Sequence, residues 1–117
     1  MYKRKTKDDL DCGITIAMRV FGGKWKPCIL SVLEEGFARP SEIHRRIPAA
    51  TPRVLDMQLS EMYELGIVSR NAGTSFPLVS EYYLTELGKS ILPIVHQLDA
   101  WGSAYKHEFK EKLMEVA

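Results

Sequence analysis

Glycine and proline residues cut the middle of this chain into short segments, and the order of those segments restricts the fold more than any other feature. The run Gly22-Gly23-Lys24-Trp25-Lys26 ends an apolar helical pattern over 14–21 and begins a second pattern. Pro27 fits the first turn of the second helix, and Gly36 ends it. Apolar residues recur along it at the spacing of one helical face: Trp25, Cys28, Ile29, Val32 and Leu33. We therefore expect two helices joined by a glycine turn, with Cys28 hidden on the inner face of the second.

Two further short helices are predicted on either side of the segment Pro48-Ala49-Ala50. Ser41 is expected to cap the first, over 42–47, because a serine oxygen accepts from the free amides at a helix start. Thr51-Pro52 begins the second, with Thr51 as the cap and Pro52 in the first position. This helix runs to about Leu65 and packs inward through residues at helical spacing: Val54, Leu55, Leu59 and Met62.

A hairpin is predicted next, with strands over 67–70 and 78–84 and a loop over 71–75. Helix, turn, helix and hairpin is the layout of a winged helix-turn-helix, an α+β and mostly helical fold in which one helix enters a DNA groove. The length of 117 residues fits a single domain over 1–117, of which residues 1–11 are expected to be a flexible N-terminus.

The last helical pattern, over 85–117, is longer than a winged helix-turn-helix needs to close its core, and Pro93 should kink it or split it. Its apolar positions step by three and four: Leu87, Ile91, Val95, Leu98, Trp101, Tyr105, Phe109 and Leu113. Monomers rarely leave such a stripe in water. We expect the same stripe of a second copy, together with 14–21, to cover it and form a homodimer. Folding back onto its own domain is the alternative.

Composition excludes several classes of protein. No apolar run approaches the roughly 20 residues that span a bilayer, and the charged first ten residues lack a signal-peptide core, so a cytoplasmic protein is expected. Cys12 and Cys28 form no disulfide framework, and three scattered histidines lack zinc-ligand spacing, so no metal site is predicted. No nucleophile–base pair indicates an enzyme. No residue pattern specifies a cofactor or a small-molecule effector.

The net charge of +1 is not that of a strongly basic protein, but charge is unevenly distributed. Between residues 39 and 53, four arginines face one glutamate. Local basic patches are the electrostatic footprint of phosphate binding. Solvated surface is the alternative reading of such a cluster.

The candidate DNA-binding residues lie on the two helices flanking Pro48: Ser41, His44, Arg45, Arg46, Thr51, Pro52, Arg53, Asp56, Met57 and Ser60. Contacts with the phosphate backbone of DNA, which would position the protein, are expected from Ser41, His44, Arg45 and Arg46. Arg53 can grip guanine or sit on a phosphate, and Asp56 can accept from cytosine N4 or repel the backbone. Thr51 can be a pure cap or also meet phosphate.

Many positions in order resemble the HxlR-type winged helix-turn-helix transcriptional regulators of bacteria, from Cys12 to about Gly102. They are Cys12, Gly22-Gly23-Lys24-Trp25, Ile47-Pro48, Leu55, Leu59, Gly66, Val68, Glu81-Tyr82, Leu84-Thr85, Gly88, Pro93 and Trp101. The resemblance implies a homodimer that binds double-stranded DNA through the second helix of the motif and the wing. It also permits oxidant or electrophile sensing through Cys12, which precedes a helix whose N-terminus would lower a thiol pKa. A packing role for Cys12 is the alternative.

Two departures from the family pattern bear on DNA binding. Pro77-Leu78-Val79-Ser80 lacks the basic residue common in the wing, and Asp56 stands where a threonine is usual. Met57 and Ser60 also replace residues that are commonly polar or basic. Lower positive charge predicts modest non-specific affinity and a shallow salt dependence. The same departures leave a module for protein contacts as the alternative function.

Overall fold

The computed structural model describes residues 9–72 and 80–116, and the chain in these ranges is mostly helical with one small sheet. The helices are α1 Gly13–Phe21, α2 Lys26–Glu34, α3 Pro40–Arg46, α4 Pro52–Glu64, α5 Glu86–Lys89, α6 Leu92–Ala104 and α7 Lys106–Val116. Strands β1 Val68–Ala72 and β2 Ser80–Leu84 pair antiparallel. The predicted α+β winged helix-turn-helix is confirmed. Of the predicted loop over 71–75, residues 71 and 72 belong to β1 instead, so this strand extends beyond the predicted 67–70. The remaining loop residues 73–75, the strand residues 78–79 and residues 1–8 of the expected N-terminus lie outside the described residues.

The core lies around α2, which contacts α3, α4, α6 and β2. Its largest fully buried side chains come from α2, α3, α4 and the start of the wing: Ile29, Leu30, Ile43, Leu55, Leu59, Met62, Ile67 and Val68. Because α3 and α4 both pack on α2, the two helices of the predicted helix-turn-helix motif share one supporting helix.

The expectation that Cys28 is hidden is wrong, because Cys28 is exposed. Helix α2 begins at Lys26, the last residue of the glycine-containing run, and its core-facing residues are Ile29, Leu30, Val32 and Leu33. At 100° per residue Cys28 lies about 120° from the centre of that arc. The stripe was predicted on the right helix, but the buried arc is rotated around the helix axis, away from Cys28.

Lys26 is the buried charged residue of the described core, only 8% exposed. Its ammonium group lies 2.9 Å from a carboxylate oxygen of Glu61 on α4. An ammonium group removed from water needs such a partner, since an unpaired buried charge is costly. The ion pair therefore joins the beginning of α2 to the C-terminal part of α4. Lys26, at the end of the glycine-containing run, thus has a structural role.

Replacing Glu61 by glutamine is expected to lower the free energy of unfolding by about 1 kcal/mol, because the carboxylate partner of buried Lys26 is lost while the amide retains one acceptor. Urea unfolding of both proteins measures the change. Glu111→Gln, on exposed α7, is the matched control and should be neutral. Equal stability of the Glu61 variant and wild type would show that the ion pair contributes nothing to the fold.

The two motif helices begin differently. Thr51 caps α4 as predicted, its Oγ1 accepting from the Val54 amide at 3.2 Å. Helix α3 begins earlier than predicted, at Pro40, so Ser41 lies inside the helix and is not its cap. The Arg39 amide instead donates to the Glu42 carboxylate at 3.3 Å. A proline fits the first helical position, and that signal outweighed the serine.

The wing is fixed to the motif at its base. Ile67 and Val68 are buried beyond Gly66, whose φ of +77° ends the α4 region in the left-handed conformation that glycine tolerates. The Tyr82 amide of β2 donates to the Ala38 carbonyl at 2.8 Å, which joins β2 to the segment before α3. The Thr85 hydroxyl donates to the Gly66 carbonyl at 2.7 Å and closes the hairpin.

The predicted last helix is three helices, because the chain breaks before Pro93 and again at Tyr105. Pro93 lies in the first turn of α6, which confirms the predicted split. Of the predicted apolar stripe, Ile91 and Val95 are buried within the chain, whereas Leu87 is exposed. Every residue from 96 to 116 is exposed in this single chain. The C-terminal half of the stripe therefore does not fold back on its own domain.

Helix α1, whose residues were predicted to join the dimer interface, is also largely uncovered in the single chain. Only Phe21 is buried, while Ile14, Ile16 and Met18 are exposed. Both terminal helical regions thus present apolar side chains to solvent.

Candidate nucleic-acid interface

One face of α4 carries four exposed residues and the opposite face carries the core. Arg53, Asp56, Met57 and Ser60 recur at i, i+3, i+4 and i+7, which places them on one side of the helix. Leu55, Leu59 and Met62 are fully buried on the other side. Thr51 and Pro52, at the start of α4, are also exposed. All six predicted residues of this helix therefore lie together at its free face or N-terminus.

The three predicted arginines differ in how they are held. Within residues 9–72 and 80–116, the guanidinium groups of Arg45 and Arg53 form no ion pair, so both are available to an anion. Arg46 instead pairs with Glu35 of α2 at 2.9 Å and lies over the Phe37 ring, 4.8 Å from its centroid. Arg46 is thus already engaged within its own chain.

His44 and Asp56 are brought into direct contact, although 12 positions separate them. Nε2 of His44 lies 2.7 Å from Oδ1 of Asp56. The His44 side chain is 22% exposed and that of Asp56 is 55% exposed. Both residues were predicted as DNA contacts but not as partners of each other, because their contact depends on how α3 packs on α4. No local spacing rule reveals it.

Two exposed basic residues adjoining the motif helices were not among the predicted contacts. Arg39 is exposed and directly precedes α3. Arg70 of β1 lies over the Tyr63 ring, 4.5 Å from its centroid. A hydrogen bond with the Tyr82 side chain raises the pKa of Arg70 further, so it remains cationic. A basic residue on a predicted wing strand is the sequence signal that identifies Arg70.

Strand β2 of the wing carries an acidic group, Glu81, and no basic one. Residues 77–79 of the departing wing segment lie outside the described residues, and Ser80 begins β2. The Tyr83 hydroxyl donates to the Glu81 carboxylate, and this hydrogen bond raises the pKa of Tyr83. The exposed side of β2 therefore carries Glu81 where a phosphate-binding wing would favour a cation.

Cys12 occupies the N-cap position of α1 and is half-buried. Hydrogen bonds from the Thr15 side chain, and from the backbone amides of Thr15 and Ile14, lower the pKa of the Cys12 thiol. Hydrogen bonds to a thiolate stabilise the charged form, so the thiolate fraction at neutral pH exceeds that of an ordinary cysteine. Cys28 lies on a groove of about 470 Å³ between α2, α3 and α6.

The apolar stripe of the C-terminal helices forms a second feature of functional interest. Trp101 stacks on Phe109 with ring centroids 5.8 Å apart and lies 5.0 Å from the Tyr105 ring. With Leu113, these side chains line an open groove of about 580 Å³. We call these four residues the aromatic stripe. In the parts of the chain that the structure describes, no helix is both long and apolar enough to cross a bilayer.

Comparison with known proteins agrees with this architecture. The model of the HxlR-like helix-turn-helix family matches residues 20–110. An uncharacterized HTH-type transcriptional regulator of Methanothermobacter thermautotrophicus is 42% identical over 98 residues, which cover 84% of this chain and 75% of that protein. The HTH-type transcriptional regulator YkvN of Bacillus subtilis is 40% identical over 106 residues, 90% of each chain. These relatives are named as regulators, not as enzymes.

Two similar solved structures are redox regulators or were treated with an oxidant. The redox regulator HypR in its reduced form superposes with a TM-score of 0.79 at 34% identity, over 86% of this chain and 99% of HypR. Diamide-treated YodB from Bacillus subtilis superposes with a TM-score of 0.67 at 28% identity, over 80% of this chain and 94% of YodB.

Proposed function

The chain belongs to the HxlR-like helix-turn-helix family of transcriptional regulators, and from this premise we propose that it binds specific double-stranded DNA as a cytoplasmic homodimer. The observation that carries the proposal is the free face of α4, where Arg53, Asp56, Met57 and Ser60 stand opposite a fully buried side. A helix of this kind presents residues near its N-terminus to base edges in the major groove.

Within the proposed interface, the residues divide by the chemistry they offer. Arg53, near the N-terminus of α4, can donate two hydrogen bonds to the O6 and N7 atoms of a guanine, or it can pair with a phosphate. Thr51, Pro52, Met57 and Ser60 complete the surface that faces the groove. The phosphate backbone of DNA is contacted by residues of α3: Ser41, His44, Arg45 and Arg46. Arg45 is the strongest phosphate ligand among them, because it has no ion-pair partner in the described chain.

The proposed dimer joins the aromatic stripe and α1 of one protomer to the same elements of its partner. This arrangement accounts for the otherwise uncovered apolar side chains at both ends of the chain. It also places two recognition helices on one duplex, so that two half-sites are read together. The proposed single domain over 1–117 thus combines a reading unit with a dimerisation unit over 85–117.

Footprinting on the DNA upstream of the chain's own gene tests the proposed function. Two protected half-sites are expected, with centres one helical turn or a multiple of it apart, because the dimer has two-fold symmetry. Protection should be absent on a scrambled duplex of the same composition. A purified, folded dimer that protects no sequence would support a module for protein contacts instead.

Redox sensing through Cys12 is part of the proposal. It is supported by the lowered pKa of the Cys12 thiol and by the similarity to HypR and YodB. A peroxide would convert the thiolate to a sulfenic acid, which a thiol reductant restores. The change at the start of α1 would act on DNA binding through the dimer, to which α1 belongs.

Mild oxidation is expected to change the DNA affinity of wild type by at least about 5-fold, the lower range of typical coupling between two sites. Cys12→Ser should abolish the response. Cys28→Ser is an informative control, because Cys28 is more exposed to the oxidant than Cys12 but does not occupy a helix N-cap. A thiol reductant should restore wild-type affinity. A response that survives in Cys12→Ser and disappears in Cys28→Ser would show that Cys28 senses the oxidant, and would contradict sensing through Cys12.

A further inference from the structure

The contact between His44 and Asp56 joins the two helices of the motif on the side that faces DNA. The turn over 48–50 and the buried residues beneath it hold α3 and α4 together by apolar packing. Apolar packing has no preferred direction, so small rotations of one helix against the other cost little free energy. A hydrogen bond between side chains is directional and opposes such rotation. At 2.7 Å, the contact between Nε2 of His44 and Oδ1 of Asp56 is short enough to do so.

The protons in this contact can be assigned from its chemistry. An ionised carboxylate can only accept, so Nε2 of His44 carries the hydrogen and donates it to Oδ1 of Asp56. One lone pair of Oδ1 is therefore already engaged before DNA binds, and the carboxylate is held in the orientation that His44 imposes. Reading a cytosine through Asp56 would have to use one of the remaining lone pairs in that fixed orientation.

Other charged groups on α3, α4 and the elements packed against them have partners of their own or none in the described chain. Arg46 of α3 pairs with Glu35 of α2, and Lys26 pairs with Glu61 at the far end of α4. Glu81 on β2 accepts from Tyr83. Arg45 and Arg53 flank the pair along the sequence without an ion-pair partner in the described chain. The Asp56 carboxylate is thus bound specifically by His44 and does not belong to a general cluster.

We propose that Asp56 is a positioning residue, which fixes the angle of the recognition helix α4 against α3 through His44, and that it does not read a base. This inference rests on the proposed function, since it concerns how the same surface meets DNA. It explains how an acidic residue is tolerated on a helix that approaches phosphates. The pair keeps α4 in the orientation in which Arg53 reaches a base edge.

Four variants separate positioning from base reading. Asp56→Asn keeps an acceptor for His44 but removes the negative charge, and Asp56→Ala removes both. His44→Gln keeps a donor near the position of Nε2, and His44→Ala removes it. Each is titrated against the footprinted site, against every single-base change in it, and against a scrambled duplex.

If Asp56 positions α4, both alanine variants should lower the ratio of specific to non-specific affinity by roughly 5- to 20-fold, and the double alanine variant should be no worse than either alone. Asp56→Asn should raise affinity for all duplexes by roughly 3- to 10-fold with unchanged base preference. His44→Gln should retain most of the specificity. A change of preference at one base pair in Asp56→Asn, with no such change in His44→Ala, would overturn the proposal.

A measurement without DNA distinguishes failure of this proposal from failure of the proposed function. Amide hydrogen exchange at Ala50, whose amide donates to the Ile47 carbonyl at 3.2 Å in the turn between the helices, should quicken several-fold in His44→Ala and in Asp56→Ala, and remain near wild type in Asp56→Asn. Unchanged exchange in both alanine variants would overturn the positioning role even if the protein binds DNA. Quickened exchange in a protein that binds no DNA would contradict the proposed function and leave the contact between the helices standing.

Discussion

Replacing both Trp101 and Tyr105 by aspartate is expected to convert the dimer into a monomer and to lower affinity for a two-half-site duplex by roughly 100-fold or more. The two rings lie 5.0 Å apart on one face of the C-terminal helices, and 59% and 48% of their respective surfaces are exposed in the single chain. Burial of such rings against a partner is the main favourable term in association, and two buried carboxylates would oppose it.

Sedimentation at tens of micromolar protein measures the oligomeric state. A titration of the two-half-site duplex measures the affinity that is lost when the two half-sites are no longer bound together. Ser103→Asp with His107→Asp is the matched control, because it places the same two charges four residues apart on the other side of these helices. The control should remain dimeric. Wild-type protein that sediments as a monomer under these conditions would contradict the proposed interface.

Replacing Arg53 by alanine is expected to cost about 1–3 kcal/mol of specific binding, roughly 5- to 150-fold in affinity. Arg53 is exposed in the first turn of α4, and its guanidinium group has no ion-pair partner among the described residues. If it binds a guanine with two hydrogen bonds, the loss should be largest at one base pair, and lysine should not restore it. If it binds a phosphate, the loss should be uniform and lysine should restore most of it.

Arg45→Ala provides the comparison for Arg53, because Arg45 is equally free but lies on α3. Its loss should weaken all duplexes alike and make the salt dependence shallower. Unchanged affinity of the Arg53 variant, in a protein that still binds its site, would show that α4 docks in a different orientation.

Local chemistry made the motif helices predictable. Thr51 and Pro52 define the start of α4 by rules that involve only adjacent residues, and Gly66 marks its end in the same way. Pro93 likewise predicted a break that the structure places between α5 and α6. The outward face of α4 followed from its inward face, because helical spacing fixes one when the other is known.

Features that depend on the packing of distant segments were missed. The pairing of His44 with Asp56 and that of Lys26 with Glu61 join different helices, and neither spacing carries a sequence signal. Cys28 was assigned to the buried side of α2, but it is exposed. Apolar spacing defines the buried side of a helix only approximately, and its exact direction depends on the segments that pack against α2. The break at Tyr105 has no glycine or proline to predict it.

The measurement that tests the central claim most directly is a mobility shift of the purified protein with its own upstream DNA and with a scrambled duplex, at about 50 mM and about 200 mM salt. Each phosphate neutralised contributes about −0.9 to the logarithmic salt slope, so a dimer using Arg45 and Arg53 should lose roughly 150-fold in non-specific affinity over this range. We predict a specific complex on the upstream DNA that persists at the higher salt while the scrambled complex disappears. Equal binding to both duplexes at both salt concentrations, or no binding to either, would contradict the account.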